Sequence, residues 1–129
     1  MRHLDWELLV ERHVSVLLVE DEVLIRMMIS DMLTDLDHRV VAEAGNIDDA
    51  LPIATSADFE LAILDVNLNG VKITPVAEVI KARNCPIIFA MGYGFAGLPK
   101  EFSNYPALQK PFQVEALAKA IDDVWKRSD

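Results

Sequence analysis

Cysteine is nearly absent from this chain of 129 residues, where Cys85 stands alone. A lone cysteine excludes an internal disulfide and any multi-cysteine zinc site, and it suits a reducing cytoplasm. Basic residues are also scarce, 12 Lys and Arg against 21 Asp and Glu, for a formal net charge of −9. Nucleic-acid binding needs a basic face to neutralise phosphates, and adhesion to an anionic membrane surface needs the same sign, so the balance argues against both. No stretch approaches the ~18 consecutive apolar residues of a membrane span. Met1 to His13 mixes Arg2, Asp5, Glu7, Glu11 and Arg12 among apolar residues and lacks the uninterrupted stretch of a signal peptide. Low-complexity linkers and internal repeats are missing as well. The expected plan is an N-terminal extension over residues 1–13 and one domain over 14–129, in a cytoplasmic protein.

What is present is globular: 52% apolar and 26% charged residues, enough for a core without metal or disulfide staples. Val14 to Val19 is almost purely apolar and ends abruptly in Glu20-Asp21-Glu22, as a strand buried on both faces does. Val23 to Leu36 suits an amphipathic helix, with Leu24, Met27, Met28 and Leu36 apolar and Arg26, Asp31 and Asp35 charged. Arg39 to Ala44 is a second strand, ended by Gly45. Asn46 is an expected N-cap for a helix from Ile47, with Asp48 and Asp49 in its first turn and Pro52 placed to kink or delay it.

Leu61 to Leu64 is a third buried strand that ends in Asp65, and Asn67, Asn69 and Gly70 make the loop after it. A helix follows over 73–82, with Pro75 in its first turn. Pro86 to Met91 is a fourth strand. Gly92, Gly94, Gly97 and Pro99 crowd the next segment, so the helix there should be short or missing. Ala107-Leu108-Gln109 is a fifth strand ending at Lys110-Pro111, and Gln113 to Arg127 closes as a helix with Val114, Leu117, Ala118, Ile121 and Trp125 on one face. Strands alternating with helices predict an α/β fold with a parallel sheet covered on both faces, whose working crevice lies at the carboxyl ends of the strands.

Those ends carry Glu20-Asp21, Asp65, Met91-Gly92 and Lys110-Pro111. If the first strand lies beside the third, three carboxylates converge, and a bound hard cation relieves their repulsion. A carboxylate, a divalent ion and a lysine together form a phosphoryl-transfer site, with a nucleophile and two cations for the equatorial oxygens.

Leu17-Leu18-Val19-Glu20-Asp21-Glu22, Ile63-Leu64-Asp65-Val66-Asn67-Leu68 and Leu108-Gln109-Lys110-Pro111-Phe112 resemble the signature segments of response-regulator receiver (CheY-like) domains of two-component signalling. The three together are specific, and the resemblance covers about Val14 to Arg127. It implies the flavodoxin-like (βα)5 three-layer sandwich with sheet order 2-1-3-4-5. It implies Asp65 as phosphoacceptor, Asp21 as the direct ligand of Mg²⁺ (or Mn²⁺), Glu20 as its partner and Asn67 as the source of a backbone carbonyl ligand. Lys110 is implied as the phosphoryl-pairing residue. The implied partners are a sensor histidine kinase or histidine phosphotransferase, which supplies the phosphoryl group, and an unidentified downstream protein that reads an altered binding surface.

The chain departs from the family twice. Met91 occupies the Thr or Ser position at the end of strand four and has no donor. Ala107 occupies the position of a switching aromatic. Phe89-Ala90-Met91-Gly92-Tyr93 otherwise resembles a receiver subgroup with a Phe-Ala-Thr-Gly-x-Tyr motif, which offers Tyr93 as a carrier of the switch.

Only Ser128 and Asp129 follow Arg127, so the expectation is a single-domain response regulator. It would be a phosphoacceptor that assists its own phosphorylation and dephosphorylation rather than an enzyme. The competing reading is a pseudo-receiver that binds without phosphorylation because Met91 replaces the hydroxyl. An aspartyl phosphatase is disfavoured because Asn67 stands where a second Asp acts as acid. Cys85 reads as a small apolar residue at a strand start, and His3, His13 and His38 have no ligand spacing. Leu4, Leu8 and the pair Trp6, Val10 fall at helical spacing. They suit a short helix packed on its own domain, with a homodimer or partner contact as the other reading.

Overall fold

The computed structural model describes residues 13–92 and 98–128, with side chains to Trp125. The expectations for the Met1–His13 helix and for Tyr93 fall on residues outside this range, His13 excepted. Five strands form one parallel sheet: β1 Ser15–Val19, β2 Arg39–Ala44, β3 Leu61–Asp65, β6 Ile87–Met91 and β7 Ala107–Gln109. Their spatial order is β2-β1-β3-β6-β7, the expected 2-1-3-4-5 when only sheet strands are numbered. Two further strands, β4 Asn67–Leu68 and β5 Val71–Lys72, make a small antiparallel hairpin. The helices are α1 Val23–Asp35, α2 Ile47–Ser56, α3 Thr74–Ala82 and α4 Val114–Ser128.

The strands alternate their side chains between two cores, as a pleated strand must. Leu17, Val19, Ala62, Leu64 and Phe89 pack toward Ala50 and Ala54 of α2 and Val76, Ala77 and Ile80 of α3. Val16, Leu18, Leu61, Ile63 and Ile88 pack toward Ile29 and Leu33 of α1 and Leu117, Ala120, Ile121 and Val124 of α4. The result is the three-layer flavodoxin-like sandwich. Because β1 and β3 are apolar toward both cores, their first charges, Glu20 and Asp65, mark where the sheet ends.

Four local expectations need correction. The α1 residues Leu24, Met27 and Met28 are exposed, and the helix buries Ile29 and Leu33 instead. The buried stripe of α4 is Leu117, Ala120, Ile121 and Val124, while Val114, Ala118 and Trp125 are only half-buried. The loop expected from Asn67, Asn69 and Gly70 is the turn of a hairpin over Asn67 to Lys72, whose first strand includes Asn67. Its two central residues, Asn69 (φ 52°) and Gly70 (φ 85°), both take the positive φ that a two-residue type I′ connection needs. Pro52 does not delay α2, which starts at Ile47 under the Asn46 cap, whose Oδ1 accepts the Asp49 N–H at 2.8 Å. Pro75 sits in the first turn of α3 as expected. Between β6 and β7 the described residues contain only a short 3-10 turn, Lys100–Phe102.

Candidate phosphoacceptor site

β1 and β3 are hydrogen-bonded neighbours, so the loops that leave them meet. Glu20, Asp21 and Asp65 each offer an oxygen, and these oxygens all lie within 4.8 Å of one another. Glu20 and Asp65 are almost fully buried, at 1% and 3% exposure. From the far side, where β7 ends, Lys110 brings its ammonium between two of them. Nζ donates to Glu20 Oε1 at 3.0 Å and to Asp65 Oδ2 at 3.1 Å. The peptide bond from Lys110 to Pro111 is cis.

Backbone amides hold the remaining carboxylate oxygens. Glu22 N–H donates to Glu20 Oε2 at 3.1 Å and Asn67 N–H to Asp65 Oδ1 at 3.2 Å. The hairpin closes the site from the side. Asn67 Oδ1 accepts Gly70 N–H at 2.7 Å, and Asn69 N–H donates to Asp21 Oδ2 at 3.0 Å. Asn67 therefore stands beside Asp65 through its backbone, while its side chain braces the turn.

Burial pushes Glu20 up to about 7, against the pull of Lys110 and the Glu22 amide and with the push of the Asp65 charge. Burial also raises Asp65, although Lys110 and the Asn67 amide draw it down. Asp21 is more open. Burial pulls it upward, but the Asn69 N–H and the neighbouring carboxyls outweigh that, and its carboxyl sits below the usual range. Lys110 shows the reverse: burial favours the neutral amine, and bonding to Glu20 and Asp65 overcomes it, so its pKa is raised. One ammonium among three carboxylates leaves an excess of negative charge at the site. Three carboxylate oxygens at this spacing fit a hard, oxygen-preferring divalent cation such as Mg²⁺.

Met91 ends β6 one residue past the Asp65–Ala90 pair. Its carbonyl accepts Lys110 N–H at 2.8 Å, and its half-buried side chain packs against the core on the α2–α3 side. Ala107 is exposed on β7, opposite Phe89. Two features escape the sequence reading. Tyr105 forms an aromatic triad with Phe89 and Phe102, with centroids 5.0 to 6.0 Å apart. The signal was the close spacing of Phe102 and Tyr105 ahead of a strand lacking an aromatic at Ala107. The second is Arg26, expected as a surface charge of α1. Its Nη1 donates to the Glu20 carbonyl at 2.9 Å.

A family model described as the response regulator receiver domain matches residues 16–122. The chain belongs to the response regulator receiver family. Among its relatives, the transcriptional regulatory protein PdtaR of Mycobacterium tuberculosis is 32% identical over 113 residues, covering 83% of this receiver and 54% of PdtaR. A probable chemotaxis protein CheY of Rhizobium etli is 26% identical, covering 87% of this chain and 92% of that protein. This receiver thus spans about half the length of PdtaR, but nearly all of CheY. Among solved structures, SdrG of Sphingomonas melonis Fr1 is 41% identical with a TM-score of 0.79, covering 86% of this chain and 95% of that one. A BeF3-activated SdrG is 42% identical with a TM-score of 0.72, over 84% and 92%. Among the described residues, no helix is long and apolar enough to cross a membrane.

Proposed function

We propose that this receiver accepts a phosphoryl group on Asp65 from the phosphohistidine of a sensor kinase or histidine phosphotransferase, in a Mg²⁺-dependent reaction in the cytoplasm. The observation that carries this reading is the buried Asp65 carboxylate with Lys110 Nζ at 3.1 Å and the Glu20 and Asp21 oxygens beside it. An Asp65 oxygen attacks phosphorus in line; the new P–O bond forms as the P–N bond breaks, and the imidazole leaves. Glu20, Asp21, Asp65 and the Asn67 backbone carbonyl would hold Mg²⁺, which when bound would supply positive charge to offset that of the phosphoryl group. Lys110 is released from its carboxylates to pair with the phosphoryl group, and hydrolysis of the acyl phosphate resets the site. The chain is therefore a phosphoacceptor that assists its own turnover, and its output is altered protein binding.

The route for the donor is apolar. Val23, Leu24, Met27 and Met28 are exposed on α1 and continue into a groove of about 390 Å³ lined by Ile25, Met32, Pro111 and Phe112, with Lys110 at one end. A donor seated there would lie against Lys110, whose ammonium bonds Asp65 at 3.1 Å. Met91 supports a second reading, a receiver that binds partners without phosphorylation, because the strand end lacks the hydroxyl that would bond a phosphoryl oxygen.

Incubation with acetyl phosphate and Mg²⁺, read by intact mass, separates the two. A phosphate-sized gain that Asp65→Asn abolishes supports the first reading. No gain from folded, Mg²⁺-binding protein favours the second.

A further inference from the structure

Arg26 bonds the backbone of the Glu20–Asp21 peptide rather than its carboxylates, and three elements meet at its guanidinium. Arg26 belongs to the first turn of α1. Its Nη1 donates to the Glu20 carbonyl at the end of β1 (2.9 Å), and its Nε pairs with Glu43 Oε1 of β2 at 3.1 Å. The Glu20 amide is held too, donating to the Ala44 carbonyl at 3.0 Å. Both polar atoms of the Glu20 backbone are thus fixed from β2 and α1.

The space for this arrangement depends on Gly45. A Cβ there would sit 2.8 Å from Arg26 Nη1 and 3.6 Å from the Glu20 oxygen. That glycine was read from sequence only as the end of β2. Its φ is not in the left-handed region, so a side chain there would meet the Arg26 guanidinium rather than backbone strain, and the guanidinium would have to shift off the Glu20 carbonyl to admit it.

We propose that Arg26 is a positioning residue of the phosphoacceptor site: it fixes the Glu20–Asp21 peptide so that both carboxylates face a divalent cation, and Gly45 makes room for it. This rests on the Mg²⁺-dependent reading given above. With the carbonyl drawn toward Arg26, the two side chains project to the Asp65 side without a conformational search. A support behind a ligand acts on cation affinity, since a misaligned donor set pays in binding before it affects the chemistry.

The test measures Mg²⁺ affinity by amide chemical-shift titration, beside the acetyl phosphate reaction at low and saturating Mg²⁺ and the melting temperature without Mg²⁺. Arg26→Ala should raise the Mg²⁺ dissociation constant about tenfold. The phosphorylation rate should fall at low Mg²⁺ and largely return at saturation. Gly45→Ala keeps every ligand and Arg26 itself, and it should shift affinity in the same direction. Arg26→Lys should recover part of the loss, and Glu43→Gln, which keeps an acceptor, should bind Mg²⁺ nearly as the parent does.

The proposal is overturned if Arg26→Ala and Gly45→Ala bind Mg²⁺ as tightly as the parent. It is also overturned if their affinity falls only in proportion to the fraction unfolded. Should the parent itself fail to bind Mg²⁺ or take up phosphate, the functional reading fails first and the positioning role with it.

Discussion

Lys110 shows how strongly single residues constrain this site. Its ammonium bonds both Glu20 and Asp65, yet one positive charge cannot balance the Glu20, Asp21 and Asp65 carboxylates, and burial keeps water from screening the rest. Met91 poses the opposite problem, because it contributes packing where a hydroxyl would contribute a hydrogen bond. Met91→Thr is expected to enlarge the phosphorylation-dependent change, read as amide shift differences with and without acetyl phosphate. Equal responses in variant and parent would mean the missing hydroxyl limits nothing. Cys85 is a quiet residue: burial pushes its thiol up to about 11, so it carries little thiolate at neutral pH and fits the reading of a small apolar side chain. The site carboxylates were legible from sequence because Glu20-Asp21 and Asp65 end runs buried on both faces, whereas Lys110 follows a short, mostly exposed strand and stood out only through its resemblance to the family's third signature segment. Arg26 was not legible, since a helical arginine that turns back onto a carbonyl looks the same in sequence as one facing water.

At the scale of elements, α1 explains where periodicity fails. Its apolar residues lie on both sides, so Leu24-Met27-Met28 and Ile25-Ile29-Met32-Leu33 fit a helical spacing equally well. Only the neighbouring sheet decides between them, and it buries Ile29 and Leu33 fully and Ile25 and Met32 in part. Leu33→Ala should therefore cost about 2–5 kcal/mol in chemical denaturation. Leu24→Ala should stay within about 0.5 kcal/mol while slowing transfer from a phosphohistidine donor. On α4 the stripe from Leu117 to Val124 includes Ala120, a residue too small to stand out in the pattern. The hairpin after β3 did have a signal, Asn69-Gly70, which is a strong two-residue turn dipeptide.

The corner joining α1 to β2 carries a titration effect. His38 Nδ1 accepts the Val14 N–H at 3.1 Å, which only a neutral ring can do. Burial lowers its pKa, His13 lowers it further, and Asp37 opposes them. The unfolded chain therefore takes up this proton first as pH drops below about 6.5. The contribution of His38 to stability is full above that value and is lost as pH falls through the lowered folded pKa. Glu20, raised in the folded state, slopes the other way, so the comparison must be with a variant. Thermal midpoints taken between about pH 7.5 and 5.5 should fall less steeply with acidification in His38→Gln than in the parent.

For the whole molecule, an excess of negative charge is concentrated at the carboxyl ends of the strands, and a cation bound there should stabilise the fold. At a hundredfold excess over its dissociation constant, Mg²⁺ should add about 2.7 kcal/mol, a rise of roughly 10 °C in melting temperature. Asp21→Asn should remove most of that rise. The strand order came only from the resemblance to receiver domains, whereas the layer order was legible because alternating buried strands and helices leave few right ways to cover a parallel sheet. The register at its margins was not, since short strands carry little pattern.

Those margins have a consequence for handling the protein. One edge of the sheet is β2, whose exposed positions include Arg39 and Glu43. The other is β7, three residues long between Pro106 and Pro111. A charged edge and an edge too brief to template a stranger's backbone both resist growth into fibres. Concentrated solutions should stay free of sheet-to-sheet aggregation, even with a large apolar patch open on α1.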